Sequence, residues 1–201
     1  MIKNIVFDLG NVLIKYTPDV FLKDYPDAKR ELLGKEIYHS ENWLKMDHGD
    51  LSEAELIDLV CSRIPESYHA DAVKLIKWYE LTSLVEGMEQ LVLALKANGY
   101  GIYMLSNTSE AFYRFRKKIP VLKYFDGLFV SADHRLLKPD REIFRLFCKE
   151  FNLNASECVF IDDSAANVDG AKEVGFEGIL FRGDASELKT ELYALGIATE
   201  K

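Results

Sequence analysis

The chain of 201 residues has little cysteine and no long apolar run. Its three cysteines, Cys61, Cys148 and Cys158, form no CxxC pair. A disulfide framework or a structural zinc site is therefore not expected, and a reducing compartment fits best. No apolar run approaches the roughly 18 residues that a membrane span needs, and the N-terminal apolar run meets Asp8 too early for a signal peptide. We expect a cytoplasmic protein that has no membrane partner.

The chain also lacks an excess of positive charge. It carries 25 Lys and Arg residues against 33 Asp and Glu residues, which gives a net charge of −8. A general affinity for nucleic acid is thereby disfavoured, because nothing neutralises the phosphate backbone. A small phosphorylated metabolite stays possible, since it needs only a local positive site. The sequence does not distinguish a monomer from a homodimer.

Several nucleotide and hydrolase motifs are missing, including GxGxxG after a strand, GxxxxGK[ST], HExxH and GxSxG. In their place, apolar runs rich in β-branched and aromatic residues indicate five buried strands. The predicted strands are Ile2–Phe7, Gly101–Asn107, Asp126–Ser131, Cys158–Asp163 and Gly178–Phe181.

Helical patterns separate these strands and also fill one long interval between the first two. The predicted helices are Asp27–Tyr38, Ser52–Arg63, Tyr68–Leu81, Glu86–Ala97, Ser109–Lys118, Pro139–Phe151, Asn167–Val174 and Ser186–Leu195. Alternating strands and helices predict an α/β fold, a doubly wound parallel sheet. We assign residues 1–15 and 84–201 to this core, and residues 16–83 to an all-helical cap inserted after the first strand.

Polar groups lie at the ends of four of the predicted strands or shortly after them. They are Asp8, the triplet Ser106-Asn107-Thr108, Lys138 ahead of Pro139, and the pair Asp162-Asp163. In an open α/β sheet, ligands bind outside the carboxyl ends of the strands. Asp8, the triplet and Lys138 each have an ordinary explanation as a cap, a turn or a surface residue, whereas the adjacent acids Asp162 and Asp163 are harder to explain in this way. Their common location at one sheet edge favours a functional site.

Three carboxylates in one cleft would repel one another. Two like charges about 4 Å apart cost roughly 4 kcal/mol at an effective dielectric constant near 20, so the cluster must bind a proton or a cation. Mg²⁺ prefers oxygen ligands and commonly keeps water and substrate phosphate as further ligands. Asp8 could then attack phosphorus, with Lys138 as a second positive charge. Ser106 Oγ and the N–H groups of Asn107 and Thr108, opening the next helix, would hold phosphate oxygens.

The ordered segments FDLGNVL, MLSNT, LLKPD and FIDDSAANVDGA resemble the four motifs of the haloacid dehalogenase superfamily, and the resemblance spans nearly the whole chain. It implies a Rossmann-like core, Mg²⁺ as the cofactor, Asp8 as the nucleophile, and Ser106 and Lys138 in the site. Asp163 would be the more direct metal ligand, with Asp162 beside it and Asn167 behind. The carbonyl of Gly10 would supply another ligand. Within the superfamily, the chain is similar to sugar-phosphate phosphatases of the α-glucose-1-phosphatase type, relatives of the N-terminal domain of soluble epoxide hydrolases.

Gly10 departs from the family pattern. Most phosphatases of the superfamily carry an Asp there, which protonates the leaving oxygen and later activates water. Another group could replace it, and Asp47 or His48 from the insertion are candidates. Alternatively, the leaving group needs little protonation, as in an anomeric sugar phosphate, or the chain binds phosphate esters with little or no turnover. A dehalogenase of the same fold is the remaining alternative, but dehalogenases typically place Tyr at this position.

Aromatic residues are frequent in the predicted cap. Trp43, Trp78 and Tyr79 could line a substrate pocket or pack within the cap. Helical periodicity alone does not tell which face of the cap meets the cleft.

Overall fold

The computed structural model describes residues 1–200, which contain one parallel sheet of five strands in the order β3-β2-β1-β4-β5. The strands are β1 (Asn4–Phe7), β2 (Gly101–Ser106), β3 (Gly127–Val130), β4 (Cys158–Asp162) and β5 (Glu177–Leu180). The order places the first strand at the centre, between strands that follow it by about 100 and 150 residues. The predicted α/β fold with a parallel sheet is confirmed.

The central strand is apolar because helices cover both of its faces. Ile5, Val6 and Phe7 are fully buried, as expected for a strand inside a parallel sheet. Phe7 pairs with Met104 on one side and with Ile161 on the other. This register brings the carboxyl ends of β1, β2 and β4 to the same level.

Eleven α-helices lie within the described residues. They are α1 (Pro18–Leu22), α2 (Asp27–Glu36), α3 (Glu41–His48), α4 (Glu53–Cys61), α5 (His69–Ile76), α6 (Met88–Ala97), α7 (Phe112–Phe115), α8 (Ser131–His134), α9 (Arg141–Glu150), α10 (Ala165–Val174) and α11 (Ala185–Ala194). Short 3₁₀ turns occupy Glu66–Tyr68, Trp78–Glu80, Arg116–Lys118, Pro120–Tyr124 and Ala155–Glu157. None of the helices in residues 1–200 combines the length and apolar character needed to cross a bilayer.

Some predicted helices were wrong in extent, and three helices were not predicted. The predicted helix Tyr68–Leu81 breaks at Lys77, where ψ is 40°. The predicted helix Ser109–Lys118 contains only the four α-helical residues of α7 before a 3₁₀ turn. Pro139 precedes the cap residue of α9 and lies outside its first turn. Helices α1, α3 and α8 are short or interrupted by polar residues. Their apolar residues therefore do not form a helical period that is clear in the sequence.

Residues 16–83, which we call the helical insertion, contain a hydrophobic cluster of their own. The buried members are Leu22, Leu33, Ile37, Trp43, Met46, Leu56, Val60, Ile64, Ala72, Leu75 and Ile76. The chain enters and leaves the insertion side by side: the Lys15 N–H donates to Ser83 O at 2.8 Å, and the Thr82 hydroxyl donates to Lys15 O. Two further clusters flank the sheet, one on each face.

Candidate active site

The carboxyl edge of the sheet holds most of the residues that the sequence predicted. Ser106 is the last residue of β2 and Asp162 is the last residue of β4. Asp8 follows β1 directly, and its N–H donates to Ile161 O at 2.9 Å. Lys138 reaches the same edge from the loop before α9. All four side chains belong to buried residues, although each is polar or charged.

Lys138 joins the carboxylates. Its Nζ atom donates to Asp162 Oδ2 at 2.6 Å and to Leu105 O at 3.1 Å, and it lies 2.8 Å from Asp8 Oδ1. Burial lowers the pKa of the ammonium group, but Asp8 and Asp162 raise it more, so the net pKa shift is upward. Lys138 is therefore a fixed positive charge between two acids.

Asp8 is in an environment that disfavours its ionised form. Burial raises its pKa, Lys138 lowers it and Asp162 raises it, with a net result of about 6. The Oδ1 atom is buried and accepts no well-aligned hydrogen bond within residues 1–200, so its contact with Lys138 is an ion pair. A buried carboxylate oxygen in this state has capacity for a cation.

Asp162 and Asp163 are adjacent but occupy different environments. Asp162 is fully buried and receives hydrogen bonds from Lys138, from the Ser164 N–H at 2.8 Å and from Asn167 Nδ2 at 3.1 Å. Asp163 is exposed, and its Oδ2 atom accepts one hydrogen bond, from Asn11 Nδ2 at 2.9 Å. Asp162 is thus held by several donors, whereas Asp163 keeps more capacity for a ligand.

One oxygen from each of Asp8, Asp162 and Asp163 can lie within 4.8 Å of the others. Three carboxylates, one with a buried oxygen that accepts no hydrogen bond within residues 1–200, are a hard oxygen donor set of the kind that fits Mg²⁺. Gly10 lies on the wall of the same cleft. The metal-binding roles of these residues and of the Gly10 carbonyl stay predictions.

Asn107 and Thr108 differ in part from the sequence expectation. The Asn107 side chain donates to Lys138 O at 3.0 Å and accepts from the Lys138 N–H at 2.9 Å, so its amide group positions the lysine. The Thr108 N–H donates to Ser131 Oγ at 2.9 Å. No helix opens at these residues, because α7 begins at Phe112. The expectation that the Thr108 N–H holds a phosphate oxygen was therefore wrong.

A cleft of about 380 Å³ opens above this edge of the sheet. Its wall contains Asp8, Gly10, Ser106, Asn107 and Asp163 from the sheet side, and Tyr16, Trp43, Asp47, Glu53, Trp78 and Tyr79 from the insertion. The predicted aromatic residues do both things that were considered. All three line the cleft, and Trp78 also packs against Tyr79 with the ring centroids 6.3 Å apart.

Asp47 and His48, the two candidates for the missing acid, differ in their position relative to the cleft. Asp47 lines the cleft, whereas His48 lies outside the lining set and pairs with Asp50, with Nδ1 2.8 Å from Oδ2. Both residues are in the last turn of α3, but a helix turns by about 100° per residue, so neighbouring side chains point in different directions.

Three residues near the site were not predicted. Asn11 adopts φ of 54°, and its side chain connects Asp163 to the Tyr16 N–H. Ser131 Oγ donates to Asp47 O at 2.6 Å and so connects the insertion to the sheet. Glu53 is buried beside Arg114, with 2.7 Å between Oε1 and Nη2. The turn sequence around Asn11 carried a signal, but the other two contacts depend on the tertiary fold.

Comparison with known families agrees with this architecture. Residues 2–175 match the family of haloacid dehalogenase-like hydrolases. The match covers well over half of the chain, so the chain belongs to this family of hydrolases. The resemblance stated from the four motifs is therefore confirmed.

Particular relatives are phosphatases by name. The chain is 30% identical over 187 residues to a sesquiterpene phosphatase of Aspergillus oryzae, with 88% of each chain covered. It is 29% identical over 197 residues to a D-ribitol-5-phosphate phosphatase of Bacteroides thetaiotaomicron, covering 88% of this chain and 90% of that one. A solved haloacid dehalogenase family enzyme of Bacteroides thetaiotaomicron, complexed with magnesium and inorganic phosphate, is similar with a TM-score of 0.69 and 25% identity, over 94% of this chain and 99% of that one.

Proposed function

We propose that the protein is a Mg²⁺-dependent phosphatase that hydrolyses a small phosphorylated metabolite through an aspartyl-phosphate on Asp8. The observation that carries the proposal is the convergence of Asp8, Asp162 and Asp163 around the Lys138 ammonium group. The relatives named phosphatases, and the related structure holding magnesium and phosphate, support the same reaction class.

In this mechanism Asp8 attacks the phosphorus atom while the bond to the leaving oxygen breaks. The pKa of Asp8 is raised to about 6, so the carboxylate is largely ionised at neutral pH. A bound Mg²⁺ would supply charge neutralisation for the phosphate. Lys138 supplies a second, fixed positive charge, and Asn107 holds the lysine backbone. Water then hydrolyses the acyl phosphate and restores Asp8.

Asp163 and Asp162 would hold the ion together with Asp8 and the carbonyl of Gly10. Ser106 lies at the end of β2 on the cleft wall, where its hydroxyl would meet a phosphate oxygen. Asn167 would act indirectly, because its side chain donates to both oxygens of Asp162.

We assign the helical insertion the role of a cap over the cleft. Its separate hydrophobic cluster and its paired entry and exit segments support a unit that can move against the core. A sugar phosphate is the substrate class that we propose, and the similarity to a D-ribitol-5-phosphate phosphatase supports it. The three cysteines are free thiols, consistent with a cytoplasmic setting.

The decisive experiment measures phosphate release from a panel of sugar phosphates and from p-nitrophenyl phosphate. We expect turnover with Mg²⁺, loss of turnover in EDTA, and a loss of at least about 10³-fold in Asp8→Asn, because the substitution removes the nucleophile. Asp169→Asn, an exposed acid on α10, is a matched control and should keep its activity. Unchanged activity in Asp8→Asn would overturn the mechanism.

A weakly active or non-catalytic phosphate-ester-binding protein is the alternative outcome of the same panel. It would show thermal stabilisation by phosphate esters without phosphate release. Halide release from a 2-haloacid in EDTA would instead indicate the dehalogenase alternative.

A further inference from the structure

The position two residues after Asp8 has no side chain that can transfer a proton. A Cβ atom built on Gly10 would contact Tyr16 Cβ at 3.7 Å, which is ordinary van der Waals contact. The backbone at Gly10 therefore has space for a side chain, but the carboxyl group that most phosphatases of the family carry there is missing. If the protein acts on esters of ordinary alcohols, another group must protonate the leaving oxygen, because an alkoxide is a poor leaving group.

Besides Asp8 and Asp163, four titratable side chains line the cleft: Tyr16, Asp47, Glu53 and Tyr79. Glu53 is held by the Arg114 guanidinium, and the Tyr79 hydroxyl donates to Glu53 Oε1 at 3.4 Å. Burial raises the pKa of Tyr16 far above its usual range, so this phenol is a weak acid. Asp47 is the carboxyl group among the four without an ion-pair partner in residues 1–200.

Residues of the core, outside the insertion, hold the backbone of Asp47 in place at the cleft. The hydroxyl of Ser131, the first residue of α8, donates to Asp47 O at 2.6 Å. Two residues later, Gly49 has φ of 89° and packs so closely on α8 that a Cβ atom there would lie 2.3 Å from Ala132 O. Only glycine permits this approach, which seats the last turn of α3 against the sheet side of the site.

The electrostatic environment of Asp47 suits a proton donor. Burial raises its pKa well above the usual range, the charge of Asp8 raises it further, and a hydrogen bond from Trp43 lowers it. Asp47 and Asp8 both line the cleft, one on the insertion side and the other on the sheet side.

We propose that Asp47 is the general acid and base that replaces the side chain missing at Gly10. This inference rests on the proposed phosphatase function. The Asp47 O–H proton passes to the leaving oxygen as its bond to phosphorus breaks, so the alcohol departs neutral. The resulting carboxylate takes a proton from the water that attacks the acyl phosphate, which restores Asp47 and frees Asp8.

The test compares two probe esters of similar size, p-nitrophenyl phosphate and benzyl phosphate, in the full-length protein with Mg²⁺. Nitrophenolate is a stable anion and leaves without a proton. The benzyl alkoxide is a poor leaving group and must be protonated as it leaves. We expect Asp47→Asn to lose about 10²-fold or more in kcat for benzyl phosphate, the usual contribution of a general acid. With p-nitrophenyl phosphate, the rate of acyl phosphate formation is measured from the burst of nitrophenol. This rate should fall by no more than about threefold in Asp47→Asn.

Asp50→Asn is the matched control, because Asp50 follows the same helix, is exposed and pairs with His48. It should leave both esters unaffected. Asp47→Glu keeps a carboxyl group and should recover part of the benzyl phosphate turnover, which also guards against a folding defect in Asp47→Asn.

Equal losses for both esters in a folded Asp47→Asn protein would overturn the role of Asp47. Phosphate release by the wild-type protein from neither these probes nor any sugar phosphate would instead overturn the proposed function. The two failures are therefore distinguishable.

Discussion

The carboxyl edge of the sheet and the helical insertion form opposite walls of one cleft, but they are held in place differently. On the sheet side, Asp8, Ser106 and Asp162 extend from strands whose register the parallel hydrogen bonds determine. On the insertion side, helices pack around a separate apolar cluster, and polar contacts such as Ser131 with Asp47 join them to the core.

This difference corresponds to two requirements of the proposed reaction, a fixed nucleophile and access for the substrate. The nucleophile and its countercharges need fixed positions, and a buried sheet edge supplies them. In the proposed cap, substrate entry would require a wall that can move, and the insertion has a hydrophobic cluster of its own. Substitutions at the contacts between the two walls can therefore test substrate entry separately from the chemical step.

The largest effect is expected on the sheet side, from Lys138→Met. The substitution leaves Asp8 and Asp162 as neighbouring buried acids without a countercharge. We expect kcat to fall by about 10³-fold, equivalent to about 4 kcal/mol in the activation barrier. The melting temperature should also fall, and more so in EDTA than in Mg²⁺, since a bound cation would partly replace the ammonium charge.

Lys3→Met provides the control for Lys138→Met. Lys3 also pairs with an acid, Glu157, but its side chain is 64% exposed, so little change is expected. An activity loss in Lys138→Met below about tenfold would show that the buried cation is not part of the chemistry.

A second prediction compares the two apolar clusters directly. Leu56 and Leu91 are both fully buried, the first in the insertion and the second in the core. Each Leu→Ala change should destabilise by about 2–5 kcal/mol because it leaves a cavity. Amide exchange should show lost protection mainly within residues 16–83 for Leu56→Ala, and across the whole chain for Leu91→Ala.

Equal loss of protection throughout both variants would contradict the separation of cap and core. The same exchange measurement on the wild-type protein provides the reference. The two variants remove the same number of atoms. A difference in the pattern of amide protection between them therefore shows which part of the chain each cluster stabilises.

The smallest effect is expected at the contact between the walls, from Glu53→Gln. Glu53 belongs to the insertion, and its ion pair with Arg114 reaches the core. The Arg114 side chain is half exposed, so solvent screening limits the loss to about 0.5–1 kcal/mol. We expect KM to rise by a few-fold with kcat nearly constant, since the contact between the proposed cap and the core becomes weaker.

Glu110→Gln is the matched control for Glu53→Gln. Its carboxylate lies 3.8 Å from the same arginine, but both residues belong to the core. A rise in KM of equal size in Glu110→Gln would assign the effect to the charge of Arg114 and not to the contact between the walls.

The fold was predictable because its signals are local. The strands are continuous apolar runs, and each helix that was predicted carries a clear apolar face or cap, as in the Ser52–Glu55 capping box. Helix α3 had signals that were missed: Ser40 caps it, Gly49 ends it in the left-handed region, and Trp43 and Met46 share one face. The Thr108 error arose because its donor finds Ser131, 23 residues away.

The sequence by itself determined the sheet, the helical insertion and the acids and lysine that meet at the sheet edge, because parallel strands bring their carboxyl ends together whatever the loops do. Only the tertiary structure decided how Asp162 differs from Asp163, that Asn107 holds Lys138, and that Asp47 faces the cleft while His48 does not. These depend on burial and on contacts between residues far apart in the chain. No local pattern of apolar and polar residues records such contacts.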